Sequence, residues 1–287
     1  MSQAPLTATR YDARSCELGE GPLWHPERKQ LFWFDILGNK LLSRRNGTEL
    51  EWQFDEHVSA AGWVDRDTLL IASETGLFRF VLDSGSRELI HPLEADKPQT
   101  RSNDGRADRQ GGFWIGTMGK RAERHAGAIY RYFRGEVRKL FDGITIPNAI
   151  CFAPDGRTAY FCDTPKAQIM RQPLDSSGWP LGSPEVFIDL REVGLNPDGA
   201  VCDAEGGIWN AQWGAGRVAR YHPDGTFDRA VSVDGRHSSC PAFGGKDFTQ
   251  LFVTTAREDL PDATPSDGCV YQATLSTAGL PEAQVMV

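Results

Sequence analysis

Short apolar runs rich in aromatic and β-branched residues recur along the chain, whereas the 3.6-residue spacing of amphipathic helices is nearly absent. Six of these runs are alike, and they read "QLFWFDI", "TLLIASE", "GGFWIGT", "TAYFCDT", "GGIWNAQ" and "QLFVTTA". Each follows a turn, such as "HPERK" or "APDGR", and another apolar stretch precedes that turn, as in a two-stranded hairpin. In several units a further run comes afterwards, such as "GLFRFVL" or "GAIYRYF". The chain is therefore predicted to be all-β.

The six units repeat with a common period. Equivalent positions near the start of each unit are Glu20, Ala61, Asn103, Asn148, Asp198 and Cys240. The steps between them are 41, 42, 45, 50 and 42 residues. A period of roughly 40–50 residues with about four strands per unit is typical of a β-propeller blade. A β-sandwich is the alternative, but it does not require the same order six times. The sequence thus predicts a six-bladed β-propeller with a central channel, forming a single domain over residues 1–287.

A closed propeller must join its last blade to its first, because an open edge would leave unpaired backbone groups. The N-terminal segment "LTATRYD", residues 6–12, has the composition of a strand. We expect it to complete the blade that contains "GCVYQATL", residues 268–275.

Charge and composition narrow the range of partners. The chain has 31 Lys and Arg against 39 Asp and Glu, a net charge of −8, with no long run of either sign. Nucleic acid and anionic membranes are therefore unexpected partners. Without a signal peptide or a long apolar segment, a cytoplasmic protein is expected, as a monomer or weak homo-oligomer. The six cysteines form no C-x-x-C pair and are predicted to be free core thiols.

Oxygen-bearing side chains stand at the same position in four of the six units. In a propeller the first strand of each blade lines the channel, so these positions converge at one rim. The four residues are Glu20, Asn103, Asn148 and Asp198. Asn-Asp-Gly and Pro-Asp-Gly are also ordinary turn signals, but units three and five have their hairpin turns one strand later, at "DRQGG" and "DAEGG". The register therefore predicts a polar cluster at the channel mouth.

Carboxylate and amide oxygens gathered in one channel favour a bound cation, which supplies the opposite charge. The donors Glu20, Asn148 and Asp198 suit one divalent cation, with Ca²⁺ first and Mg²⁺, Mn²⁺, Zn²⁺ or Fe²⁺ as alternatives. The histidines show neither H-E-x-x-H nor paired spacing. Three protein ligands would leave positions open for water and substrate, as in catalytic metal sites.

At these residues the chain resembles the regucalcin/gluconolactonase family of sugar lactone hydrolases, also called the senescence marker protein family. The motifs are "LGEGPLW", "RSNDGRAD" with "GGFWIGTM", "IPNAICFAPDGRTAYFCDT" and "NPDGAVCDAEGGIWNAQWGAGRVARY", within about residues 15–260. The resemblance implies metal ligation by Glu20, Asn148 and Asp198. It also implies that Arg101 and Asn103 hold substrate oxygens over the metal.

The segment after "GTM" departs from the family pattern. Animal regucalcins carry an acidic side chain there, whereas this chain has Lys120 and Arg121. If that loop turns over the channel, Lys120 would bind substrate and favour acidic lactones over neutral ones. The alternative is a solvated connection whose charges serve solubility.

The resulting hypothesis is metal-dependent hydrolysis of a sugar lactone, an aldono- or aldarolactone, to the sugar acid. The cation would polarise the ring carbonyl. Asp198 is the candidate base, and the alternative is a water that the cation activates. Two other functions stay open: an organophosphate or aryl-ester hydrolase on the same fold, and a non-catalytic propeller that binds calcium or a partner.

Overall fold

The six aromatic runs each form the second strand of a four-stranded antiparallel unit in the computed structural model, which describes residues 6–287. These second strands are buried on both faces, as in Gln30–Asp35 and Thr68–Ser73. Burial on both faces explains why they are continuous apolar runs and do not alternate with polar residues. The predicted six-bladed β-propeller is confirmed.

The blades follow the order of the sequence. The strands are β1 (Leu6–Thr7), β2 (Thr9–Asp12), β3 (Gly19–His25), β4 (Gln30–Asp35), β5 (Lys40–Arg45), β6 (Thr48–Gln53), β7 (Val58–Asp65), β8 (Thr68–Ser73), β9 (Gly76–Val81), β10 (Arg87–Pro92), β11 (Thr100–Ala107), β12 (Phe113–Gly119), β13 (Gly127–Phe133), β14 (Glu136–Ile144), β15 (Pro147–Phe152), β16 (Thr158–Asp163), β17 (Gln168–Pro173), β18 (Glu185–Asp189), β19 (Asn196–Cys202), β20 (Ile208–Trp213), β21 (Arg217–Tyr221), β22 (Phe227–Ser232), β23 (His237–Gly244), β24 (Gln250–Ala256) and β25 (Val270–Thr274). One turn of 3-10 helix, Thr164–Lys166, follows β16. Within residues 6–287 no helix is long and apolar enough to cross a bilayer.

The N-terminal segment closes the ring, as predicted for most of its length. Strand β2 pairs antiparallel with β25 and becomes the outer strand of the sixth blade. The prediction was wrong for Leu6 and Thr7, which form β1 and pair in parallel with β22 of the fifth blade. The chain passes between the two blades at Ala8, which is buried there, and so it bonds to both of them.

The hydrophobic core consists of six clusters, each between two adjacent blades. The cluster that joins the last blade to the first contains Trp24, Trp33 and Phe252. The ring of Trp24 stacks on Phe252 with centroids 5.6 Å apart. All six cysteines are buried and free, as predicted. The ring is thus held by apolar contacts all the way round.

The C-terminal segment, residues 276–287, crosses the end of the channel that lies away from the start of the inner strands. Glu282 forms an ion pair with Arg106 inside the channel. The backbone N–H of Val285 donates to Trp63 (2.9 Å), and that of Met286 donates to Gly111 (2.8 Å). These contacts close the far end of the channel.

Candidate active site

A cavity of about 380 Å³ opens at the end of the channel where the inner strands begin. It is lined by every residue that the sequence singled out for chemistry: Glu20, Arg101, Asn103, Lys120, Asn148 and Asp198. Five of these stand on the inner strands of four blades, with Arg101 and Asn103 both on β11, and Lys120 directly follows the end of β12. The four residues that the repeat register predicted to converge, Glu20, Asn103, Asn148 and Asp198, thus line one cavity.

A β-bulge lies at the channel mouth in the inner strand of each blade. The pairing of inner and second strands shifts between Glu20 and Leu23 in β3, and between Asn148 and Cys151 in β15. The other four inner strands shift at comparable positions. A bulge bends a strand locally and re-aims its side chains. Gly21 and Ala149, which follow the two oxygen donors, accordingly have positive φ angles of 50° and 57°.

Glu20 and Asp198 form a pair of buried carboxylates. Their exposed fractions are 6% and 5%. Burial, followed by the charge of Asp104, raises the pKa of Glu20. Burial, followed by the charge of Glu20, raises the pKa of Asp198 well above the ordinary range. Within residues 6–287 neither carboxylate has a Lys or Arg nitrogen within 4.0 Å. The positive charge of Arg101 acts on Glu20 from farther away and lowers its pKa, but by less than burial and Asp104 raise it.

The third oxygen donor, Asn148, is held with its amide in one orientation. Its Nδ2 donates to Thr164 Oγ1 at 2.9 Å. Its Oδ1 accepts a hydrogen bond from Asn103 Nδ2 at 3.1 Å, which leaves one lone pair of this oxygen without a protein partner. The amide oxygen is therefore available as a ligand.

These donors fit a hard divalent cation. In the described part of the chain no group of three or more His, Cys, Asp or Glu side chains is arranged as a metal site. The set at the channel mouth instead combines two carboxylates with an amide oxygen. Oxygen-only donors of this kind suit Ca²⁺, and a cation would offset the repulsion between the two buried carboxylates.

Arg101 and Asn103 have different capacities for binding a substrate. Arg101 Nη1 donates to Ser102 O (2.9 Å) and to Asn103 Oδ1 (2.8 Å), while its buried Nε has no partner. Asn103 Nδ2 donates to Pro147 O (3.0 Å) and to Asn148 Oδ1 (3.1 Å). These two bonds use both hydrogens of the Asn103 amide. Arg101 thus retains free donors for a ligand oxygen, whereas Asn103 links Arg101 to Asn148.

The loop after β12 turns over the cavity, so that Lys120, Arg121 and Ala122 all line it. Lys120 Nζ lies 3.0 Å from the carboxylate of Glu74. Arg121 has no ion-pair partner within 4.0 Å among residues 6–287. Of the two cations, Arg121 is therefore the one whose guanidinium forms no ion pair, although its backbone N–H donates to the carboxylate of Glu123 at 3.0 Å.

The sequence interpretation missed several residues that line the cavity, including Thr164, Trp213 and Glu258. All three stand at or just after the end of a second strand. Burial raises the pKa of Glu258, and the positive charge of Arg101 opposes that rise. Applying the repeat register to the ends of the second strands would have found these positions as well.

The fold and the cavity define a six-bladed propeller with a small polar cavity at one end of its channel. A family model described as "SMP-30/Gluconolactonase/LRE-like region" matches residues 18–257. The chain belongs to this family, which confirms the resemblance seen in its motifs.

Named relatives cover nearly the whole chain. An L-arabinolactonase of Azospirillum brasilense is 36% identical, over 98% of this chain and 95% of its own. A 6-deoxy-6-sulfogluconolactonase of Pseudomonas putida is 33% identical, over 92% and 94%. A crystal structure from Agrobacterium tumefaciens str. C58, described as a calcium-binding protein, regucalcin, superimposes with a TM-score of 0.96 at 41% identity, covering 99% of this chain and all of that one.

Proposed function

We propose that the protein hydrolyses a sugar lactone to the corresponding sugar acid, using one divalent cation held by Glu20, Asn148 and Asp198. The observation that carries the proposal is the pair of buried carboxylates that form no ion pair within 4.0 Å, next to an oriented amide oxygen and the free donors of Arg101. The relatives named L-arabinolactonase and 6-deoxy-6-sulfogluconolactonase support the reaction class.

Calcium is the first choice for the cation. All three donors are oxygens, and a related protein with a solved structure is described as calcium-binding. The other cations expected from the sequence, Mg²⁺, Mn²⁺, Zn²⁺ and Fe²⁺, are alternatives for the same donors. When bound, such a cation supplies positive charge that polarises the lactone carbonyl.

The side chains of the cavity would bind the substrate and transfer the proton. Arg101 donates hydrogen bonds from its free N–H groups to the oxygens of the lactone and fixes the ring over the carboxylates. Asp198 takes a proton from the attacking water as the water oxygen bonds to the carbonyl carbon. The ring C–O bond then breaks, and the proton passes from Asp198 to the departing ring oxygen. The product is the open-chain hydroxy acid.

The size and polarity of the cavity fit a monosaccharide lactone. About 380 Å³ lies near the lower end of the roughly 300–1,000 Å³ range of small-molecule sites. Carboxylates and cations line opposite parts of it, with Glu258 and Asp259 on the sixth blade and Arg121 on the third. Arg121 would receive an acidic substituent, so we expect acidic lactones to be preferred to neutral ones.

A lactone panel tests the function. Protein treated with a chelator is assayed by acid release on neutral and acidic aldonolactones, before and after addition of Ca²⁺, Mg²⁺, Mn²⁺ or Zn²⁺. We expect hydrolysis only after a cation is restored. Equal activity in the chelator would overturn the role of the cation. Activity confined to an aryl ester or an organophosphate would favour the other hydrolase function, and no hydrolysis at all would favour a binding propeller.

A further inference from the structure

Thr164 lies between two of the proposed cation ligands without being one itself. It begins the 3-10 turn after β16 and lines the cavity. Its Oγ1 donates to the backbone carbonyl of Pro197 at 2.8 Å, directly before Asp198. The same oxygen accepts a hydrogen bond from Asn148 Nδ2 at 2.9 Å. One hydroxyl thus connects the fourth blade to the fifth.

This hydroxyl ends a chain of hydrogen bonds that all run in one direction. Arg101 Nη1 donates to Asn103 Oδ1, and Asn103 Nδ2 donates to Asn148 Oδ1. Asn148 Nδ2 donates to Thr164 Oγ1, which donates to the Pro197 carbonyl. We call these four bonds the Arg101–Pro197 relay.

The two ends of the relay fix its direction. A guanidinium can only donate hydrogen bonds, and a backbone carbonyl can only accept them. The single hydrogen of Thr164 is used on Pro197, so towards Asn148 this hydroxyl is an acceptor. If the amide of Asn148 were turned over, its NH₂ would meet the NH₂ of Asn103, and its oxygen would meet a hydroxyl with no hydrogen to give.

We propose that Thr164 is a positioning residue that holds the amide oxygen of Asn148 towards the cation site and couples it to the strand that carries Asp198. The inference rests on the proposed function, because Thr164 can position a cation ligand only if Asn148 is one. Groups that orient metal ligands commonly contribute about 10- to 100-fold to metal affinity.

Two substitutions at this position separate the hydroxyl from the shape of the side chain. Thr164→Val keeps the branched shape and removes the hydroxyl, whereas Thr164→Ser keeps the hydroxyl. The affinity of chelator-treated protein for Ca²⁺ is measured by titration calorimetry. We expect Thr164→Val to raise the Kd about 10-fold or more and Thr164→Ser to change it by less than about threefold.

Ser43 provides a matched control. Its buried Oγ donates to Leu31 O (2.6 Å) and accepts from Gln30 Nε2 (2.7 Å), the same pattern as in Thr164. It lies in β5, away from the cavity. Ser43→Ala should lower thermal stability without changing the Kd for Ca²⁺. An equal rise in Kd in this control would show that any lost buried hydroxyl weakens binding, and it would overturn the proposal.

Combining Thr164→Val with Asn148→Asp tests the orientation of the amide directly. This pair of variants also provides a test if Thr164→Val is unstable on its own. A carboxylate has two equivalent oxygens, so Asn148→Asp removes the need to orient an amide. In that background Thr164→Val should change the Kd by less than about threefold, which makes the two substitutions strongly non-additive. An undiminished effect of Thr164→Val there would overturn the proposal.

The outcomes also separate this inference from the proposed function. If native protein binds no divalent cation, both the inference and the proposed function fail. If native protein binds Ca²⁺ and Thr164→Val binds it equally, only the proposed role of Thr164 fails.

Discussion

Lys120 and Glu74 form an ion pair across the rim of the cavity, with Nζ 3.0 Å from the carboxylate oxygen. This pairing changes which cation is expected to recognise an acidic substrate. The sequence favoured Lys120, but the carboxylate of Glu74 already offsets its charge. Arg121, beside it, has no such partner among residues 6–287.

We therefore expect Arg121→Ala to lower the preference for an acidic over a neutral lactone by about 10-fold, since a charge-assisted hydrogen bond would be lost. Lys120→Ala should change the preference by less than about threefold, because a paired surface cation contributes little. The quantity to compare is the ratio of kcat/KM for the two lactones in the native protein and in each variant. A larger change in Lys120→Ala than in Arg121→Ala would restore Lys120 as the residue that binds the acidic group.

Removing one buried carboxylate should have opposite effects on binding and on stability. Asp198→Asn is expected to abolish tight cation binding and hydrolysis, because the ligand set loses half of its charge. In a chelator the same variant should unfold at a higher temperature than native protein, by roughly 5 °C, because the cost of burying a carboxylate beside Glu20 is gone. Calorimetry in the presence and absence of Ca²⁺ measures both effects. Full hydrolysis by Asp198→Asn would remove Asp198 from the mechanism.

The cation-free protein should become less stable as the pH rises. Burial raises the pKa values of Glu20 and Asp198, so the folded protein keeps protons that the unfolded chain has already lost. Above the unfolded carboxyl pKa values of about 4, stability therefore falls with increasing pH until both folded groups are ionised. Thermal midpoints between pH 5 and 8 in a chelator measure this slope. Saturating Ca²⁺ should flatten it, and a midpoint that rises with pH in the chelator would contradict it.

Closure by the N-terminal strand predicts a large effect of truncation. Deleting residues 1–12 removes the outer strand of the sixth blade and exposes the edge of β25. We expect the melting temperature to fall by roughly 10 °C or more, because several backbone hydrogen bonds and the contact of Ala8 with the core are lost. Arg10→Ala, which removes an exposed side chain of β2 and its hydrogen bond to Ser266 Oγ (3.3 Å) but keeps the strand, is the control. A truncated protein with native stability would mean that β2 is dispensable.

The fold could be predicted because each blade repeats a similar apolar strand at a similar interval. The period and the order of the strands can be read from the sequence without knowing which residues are in contact. Strand β1 could not be assigned in this way. Leu6 and Thr7 are as strand-like in residue type as the rest of the segment. They pair with the neighbouring sheet because Ala8 is buried between the two blades.

The position of the site was predictable from register, but the roles of its residues were not. The sequence aligns Glu20, Asn148 and Asp198 at nearly the same position of the repeat. In the structure Glu20 and Asn148 are the last paired residues before the bulge, and Asp198 is one residue later, within the bulge. Asn103 uses both amide hydrogens in bonds to Pro147 and Asn148. This pairing depends on side-chain directions that the bulges set. The pairing of Lys120 with Glu74 likewise joins loops from two blades, which no local pattern reveals.

The C-terminal segment lies over Arg106, at the end of the channel opposite the opening of the cavity. A lactone would enter, and the acid made from it would leave, through the same opening. Each turnover would then have to finish with the departure of an anion past Arg121 before the next substrate arrives. We expect accumulated product acid to act as a competitive inhibitor, and raised salt to speed its release by screening that cation.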